Sequence, residues 1–260
     1  MIFGIIQGRL TKPDEGHQTT PSVWEREFDS CDKLGIDYIE WNIDSNKDKN
    51  NPIFFDDKIS SYRHRISSVC FDTLVTKESF DEGFFRNKIY DHTEKLRSLD
   101  VKKVTFPFLE AAQIKTSSDI KSIVRILKNY NSKFPDMRIN LELDCKVEIV
   151  ESILSEIDFC FLTYDTGNLT YNNIDHELYI DKFFGKINNV HLKDRSASTG
   201  ESFYNFKGDT PFLRIFENLF LRNYNKIFTL QMARKNNISE IELNRNYIFE
   251  FRRMYEKQRI

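Results

Sequence analysis

Residues 188–195, NNVHLKDR, run from a strand-like start into a histidine, a lysine, an aspartate and an arginine within the last five positions. Asn189, His191 and Lys193 share one parity, and Val190 and Leu192 take the other. Successive side chains of a strand point to opposite faces, so this strand has one polar and one apolar side. Strands of a parallel sheet covered on both faces read instead as nearly continuous apolar runs. Three more segments share the departure. Asn140 and Glu142 alternate with leucines in RINLEL (138–143), Thr163 and Asp165 alternate with Leu162 and Tyr164 in FCFLTYD (159–165), and Thr229 and Gln231 alternate with apolar residues in KIFTLQM (226–232).

Further β-rich runs precede these: FGIIQG (3–8), DYIEWNI (37–43), RISSVCF (65–71) and KKVTFPF (102–108). With INNVHLK (187–193) they bring the number of candidate strands to eight. Amphipathic stretches lie between them. Ser22 and Glu25 form a capping box ahead of Trp24, Phe28, Cys31 and Leu34 at helical spacing, with Gly35 placed to end the helix. DIKSIVRILKNY repeats the pattern with Ile120, Ile123, Val124 and Leu127, and the tail does so with Tyr247, Ile248, Phe251 and Met254. Strands alternating with helices imply a parallel α/β sheet, and eight of them imply a closed (β/α)8 TIM barrel, a single domain over residues 1–260. A doubly wound open sheet is the alternative.

A chain of 260 residues can hold two small domains or one large one, and no linker separates two. The polar stretch DSNKDKNN (44–51) reads as a loop. Hydrophobic content of 40% with 30% charged residues fits a globular protein, and no apolar run approaches the roughly 20 residues that span a bilayer. The opening MIFGIIQGRL meets Gln7 and Arg9 too early for a secretory signal. Cys31, Cys70, Cys145 and Cys160 lack metal-site or disulfide-scaffold spacing, so reduced thiols in a cytoplasm are expected. A net charge of -2 argues against a dedicated nucleic-acid binder, which needs a concentrated basic field.

If the polar parity faces the barrel interior, Glu142, Asp165, His191 and Gln231 converge at the C-terminal mouth. Burying such groups is costly unless something satisfies them. Two carboxylates, an imidazole and an amide oxygen suit one divalent ion such as Mn²⁺, Mg²⁺, Co²⁺ or Zn²⁺.

At these residues the chain resembles the xylose isomerase-like TIM barrel superfamily, in its sugar phosphate isomerase/epimerase branch. The resemblance runs through GIIQGRL, GIDYIEWNID, SSVCFD, NLELD, YDTGN, VHLKDR and LQMAR, in order and over nearly the whole chain. It implies that Glu142, Asp165 and His191 bind the metal, with Gln231 where the fourth ligand is usually a glutamate. It also places Asn168 where the epimerases carry a second, sugar-binding histidine. Family isomerases and epimerases move a proton beside a carbonyl through an enediolate, with the strand-five and strand-eight glutamates as acid/base groups. Glutamine cannot shuttle a proton. The pattern therefore favours one-base aldose–ketose isomerisation by Glu142, with Lys193 or the metal handling the oxygens.

Each residue also has a plainer reading. His191 fits either a metal ligand or a hydrogen-bonded core histidine, and Glu142 and Asp165 stand or fall with it. Glu40 shares inward parity with Tyr38 and Asn42, and either orients substrate or pairs with an arginine inside the barrel. Gln7 and Arg9 cap the first strand, as substrate ligands or as surface residues. Lys193, Asp194 and Arg195 read as a solvated charge run, though position at a strand tip favours the site for Lys193. Arg234 and Lys207 are further anion-binding candidates. Cys70 reads as a buried thiol, and Trp24 and Trp41 as packing residues.

The leading function is a metal-dependent isomerase or epimerase of a small sugar or sugar-acid derivative, for which Arg9, Lys193 and Arg234 make an anionic substrate natural. A non-catalytic sugar-binding barrel, or a lyase or dehydratase on the same site, is the alternative. The superfamily's apurinic-site endonucleases need a trinuclear zinc site, for which His17, His64, His92, His176 and His191 are too few, with one ending a strand. The C-terminal YIFEFRRMYEKQR carries enough aromatic surface for a homodimer.

Overall fold

Eight apolar runs become strands within one or two residues of the predicted bounds. The computed structural model describes residues 1–11, 20–44, 51–204, 206–233 and 239–259. The strands are β1 (Ile2–Ile6), β2 (Tyr38–Asn42), β3 (Ile66–Cys70), β4 (Lys103–Phe108), β5 (Arg138–Leu143), β6 (Phe161–Asp165), β7 (Ile187–Leu192) and β8 (Ile227–Leu230). Each pairs in parallel with the next, and β8 returns to β1 through Ile2 opposite Ile227 and Phe3 opposite Phe228, closing the barrel.

The helices of the outer layer are α1 (Glu25–Leu34), the one-turn α2 (Pro52–Phe55), α3 (Glu82–Ser98), α4 (Ser117–Lys133), α5 (Val147–Glu156), α6 (Thr166–Tyr171), α7 (His176–Phe183), α8 (Phe212–Leu221) and α9 (Glu240–Glu256). Between β2 and β3 the chain uses α2 and a 3₁₀ stretch, Asp57–Arg65, in place of a long helix. Most of the segment read as a loop there, 45–50, lies outside the described residues. In α4 the Thr116 hydroxyl accepts from Asp119 N at 3.1 Å while the Asp119 carboxylate accepts from Thr116 N at 2.8 Å, a reciprocal cap.

The capping box read on Ser22 is displaced. Helix α1 begins at Glu25 with Trp24 in the cap position, because Trp24 packs edge-on against Phe28, Trp41 and Tyr62. Gly35 does end the helix, at φ 63°, with its N–H on the Cys31 and Asp32 carbonyls. The aromatic tail is used within the chain. Phe251 packs on Phe206, Phe212 and Phe216, and Tyr255 on Phe220, while Phe249 is exposed. None of the described helices is long and apolar enough to cross a membrane.

The apolar parity of each strand meets the helices: Ile39, Val69, Phe106, Leu141, Leu162, Val190 and Phe228 belong to one buried cluster. The other parity turns inward, so the hydrophobic core is a shell around a polar lumen.

Candidate functional site

The register that pairs Asp165 with His191 and Glu142 with Thr163 brings the tips of β5, β6 and β7 together. Glu142, Asp165 and His191 each offer a ligand atom, and these lie within 4.8 Å of one another. All three are buried, at 3%, 1% and 1% exposure. The loop that follows β6 turns directly into α6, and Asp165 caps it: its Oδ1 accepts from Asn168 N at 2.6 Å. Its Oδ2 is left without a hydrogen bond, as are His191 Nδ1 and Gln231 Oε1. Three buried polar atoms without partners, on three of the four residues read as ligands, are what a cation would satisfy. The carboxylate, imidazole and amide donors fit a divalent ion of intermediate hardness.

Glu142 Oε1 accepts from Asn168 Nδ2 at 3.1 Å, and His191 Nδ1 stands 3.5 Å from Glu142 and 3.9 Å from Asp165. Burial pushes the Glu142 carboxyl up to about 7, with the Asp165 carboxylate adding to the rise and His191 and Lys193 opposing it. Burial alone would lower the His191 ring, but the Glu40 and Glu142 carboxylates hold it well above the ordinary range.

Above the cluster is a cavity of about 260 Å³, lined by Glu142, Asn168, His191, Lys193 and Gln231. Lys193 Nζ lies 3.4 Å from Asn168 Oδ1, and Thr166 ties the β6 and β7 tips together by accepting from Lys193 N and donating to Lys193 O. The opposite wall was not read from the sequence. Asp44, Asp72 and Glu110 reach it from the loops after β2, β3 and β4. Asp72 accepts from Asn42 Nδ2 at 2.7 Å and lies 3.5 Å from Cys70 Sγ, and burial lifts its carboxyl. Loop residues carry no period, so no pattern marks them in advance. Cys70 lines the cavity as a buried thiol whose pKa burial raises well above the usual value.

Several expectations are corrected. Glu40 pairs with a histidine, not an arginine, and is fully buried beneath the cluster rather than lining the cavity. Gln7 is also buried, and joins β1 to β2: its Oε1 accepts from Asn42 N at 3.0 Å and its Nε2 donates to Thr20. Arg9 is buried at 8% exposure and does not line the cavity, while its carbonyl accepts from Asn244 on α9. Asp194 and Arg195 are no solvated run. Asp194, 1% exposed, accepts from Gly208 N and Thr210 N; Arg195 lies 4.6 Å over the Tyr171 ring and donates to Asn168 Oδ1 at 2.8 Å. Lys207 is exposed, 6.0 Å over Tyr204. Arg234 lies outside the described residues.

No family model matches the chain, and no curated protein matches it by sequence. Solved structures do match. A structure of L-ribulose 3-epimerase superposes with a TM-score of 0.72 at 17% identity, covering 100% of this chain and 96% of that one. A xylose isomerase domain protein from Alicyclobacillus acidocaldarius gives 0.70 at 11%, covering 98% and 100%. The IolI protein, solved with a bound zinc atom, gives 0.68 at 17%, covering 99% and 96%. The chain therefore shares the (β/α)8 barrel fold of these structures, and within it a carboxylate–histidine cluster opens at the C-terminal mouth, where barrel enzymes place their chemistry.

Proposed function

We propose that the chain is a metal-dependent isomerase of a small sugar, interconverting aldose and ketose forms by one-base proton transfer. The observation that carries this reading is the set of unpartnered buried ligand atoms on Asp165, His191 and Gln231 beside Glu142, under a sugar-sized cavity. Glu142, Asp165, His191 and Gln231 would hold one divalent ion, which when bound polarises substrate oxygens. The zinc in the IolI structure supports the metal, and the epimerase named in the first neighbour supports a sugar substrate.

Glu142 is the group to take the proton from the carbon beside the carbonyl and return it to the adjacent carbon. Lys193 extends into the same cavity and stabilises negative charge growing on the substrate oxygens through the enediolate. Asn168, which donates to Glu142, orients that carboxylate and lies within reach of the sugar hydroxyls. Gln231 cannot shuttle a proton, so the transfer assigned here runs through Glu142 alone. Among the described residues the lining carries Asp44, Asp72, Glu110 and Glu142 against Lys193. That balance favours a neutral, hydroxyl-rich sugar over the anionic substrate suggested by the arginines.

Elemental analysis of the purified protein should find about one Mn, Co or Zn per chain, lost in His191→Ala and reduced in Glu142→Gln. In D₂O the wild type should wash solvent deuterium into a carbon-bound position of a ketose from a panel including D-fructose, D-tagatose and L-ribulose, and Glu142→Gln should not. Metal-free wild type, or exchange that persists in Glu142→Gln, would sink the proposal.

A further inference from the structure

Beneath the metal-binding layer lies a second polar layer, centred on Glu40. This carboxylate is 0% exposed, yet it accepts four side-chain hydrogen bonds drawn from three other strands. Ser68 Oγ on β3 donates to Oε1 at 2.9 Å and Thr105 Oγ1 on β4 at 2.6 Å. On β7, Asn189 Nδ2 donates to Oε2 at 2.9 Å and His191 Nε2 lies 2.6 Å from the same oxygen. Thr229 on β8 holds Asn189 in turn, donating to its Oδ1 at 2.8 Å. A buried carboxylate is expensive unless its oxygens are satisfied, and this cage satisfies both.

Both oxygens of Glu40 are used, which fixes the carboxylate and through it the ring of His191. With Nε2 bound to Glu40, the other ring nitrogen, Nδ1, is aimed at Glu142 and Asp165 and is the one free of hydrogen bonds. A ligating imidazole whose far nitrogen donates to a carboxylate is held in one orientation and is a stronger electron donor for it.

We propose that Glu40 is the positioning residue of the site: it locks the His191 ring so that Nδ1 alone can bind the cation, and its charge raises the affinity of the site without touching metal or substrate. The proposal rests on the metal reading above.

The test is calorimetric titration of chelator-stripped protein with MnCl₂ and with ZnCl₂, comparing wild type, Glu40→Gln, Glu40→Asp and Thr93→Val. Glu40→Gln keeps the shape but removes the charge, and affinity should fall about 10- to 100-fold. Glu40→Asp, which keeps the charge, should lose less. Thr93 is a buried hydroxyl on α3 bonded to Ile89 O and Tyr130, so Thr93→Val should lower the melting temperature and leave affinity within twofold. In the zinc-loaded wild type the Nε2–H proton of His191, assigned by its absence in His191→Ala, should resonate far downfield and move upfield in Glu40→Gln. Equal affinities in wild type and Glu40→Gln overturn this proposal alone. A wild type that binds neither ion refutes the metal reading and this proposal with it.

Discussion

His176 and His191 show at the scale of single residues how burial and partners decide what an imidazole does. His191 is surrounded by carboxylates that push its ring above the ordinary range, whereas His176, at the start of α7, pairs with the neutral hydroxyls of Tyr164 at 2.6 Å and Thr170 at 3.0 Å. Burial lowers the His176 ring to about 4, with Asp175 and Asp165 opposing. The unfolded chain takes up this proton near pH 6.5 and the folded chain only near 4, so the unfolded state binds more protons between those values. The stability due to the neutral ring is complete above pH 6.5 and drains away as pH falls through about 4, on the order of 3 kcal/mol. Urea midpoints measured at pH 7, 5 and 4 should therefore drop more steeply for wild type than for His176→Asn. Parallel pH dependences would refute the assignment.

At the scale of elements, the inward parity of β5 to β8 was legible because alternation survives whatever the loops do. That one parity serves two layers was not. Asn189 and Thr229 share the parity of His191 and Gln231, and their position one step lower on the strand turns them from site residues into supports for Glu40. The junction of β6, α6 and β7 was equally hidden. Gly167 lies where a Cβ would come within 2.8 Å of Lys193 Cγ and 2.9 Å of Arg195 Cγ, so the glycine lets these strand tips close over the helix start. Gly167→Ala should cost about 1–3 kcal/mol in a denaturation experiment. It should leave metal affinity within twofold, since the added methyl group meets Lys193 and Arg195 and not Asp165 or His191. A parallel loss of metal would mean that the strand tips and the ligand cluster move as one body.

For the whole molecule, a polar lumen means that stability and ligation are coupled: the apolar shell holds the barrel closed while the mouth contains mutually repelling carboxylates. A cation binding the folded state alone, at a hundredfold excess over its Kd, adds about 2.7 kcal/mol. For a chain of this size that raises Tm by about 5–10 °C. Scanning calorimetry with MnCl₂ should show the rise, a chelator should reverse it, and His191→Ala should abolish it. The barrel itself was determined by the sequence alone, because period-two and period-3.6 patterns are local and eight strand-and-helix units of this length have few ways to bury their apolar faces. The clustering of Glu142, Asp165 and His191 was legible for the same reason, each lying at the end of a strand. The places of Asp72, Glu110 and Arg195 and the partners of Glu40 were decided only by the tertiary structure. Their neighbours are far away in the chain, 151 residues in the pairing of Glu40 with His191, and barrel closure rather than any local pattern creates those contacts.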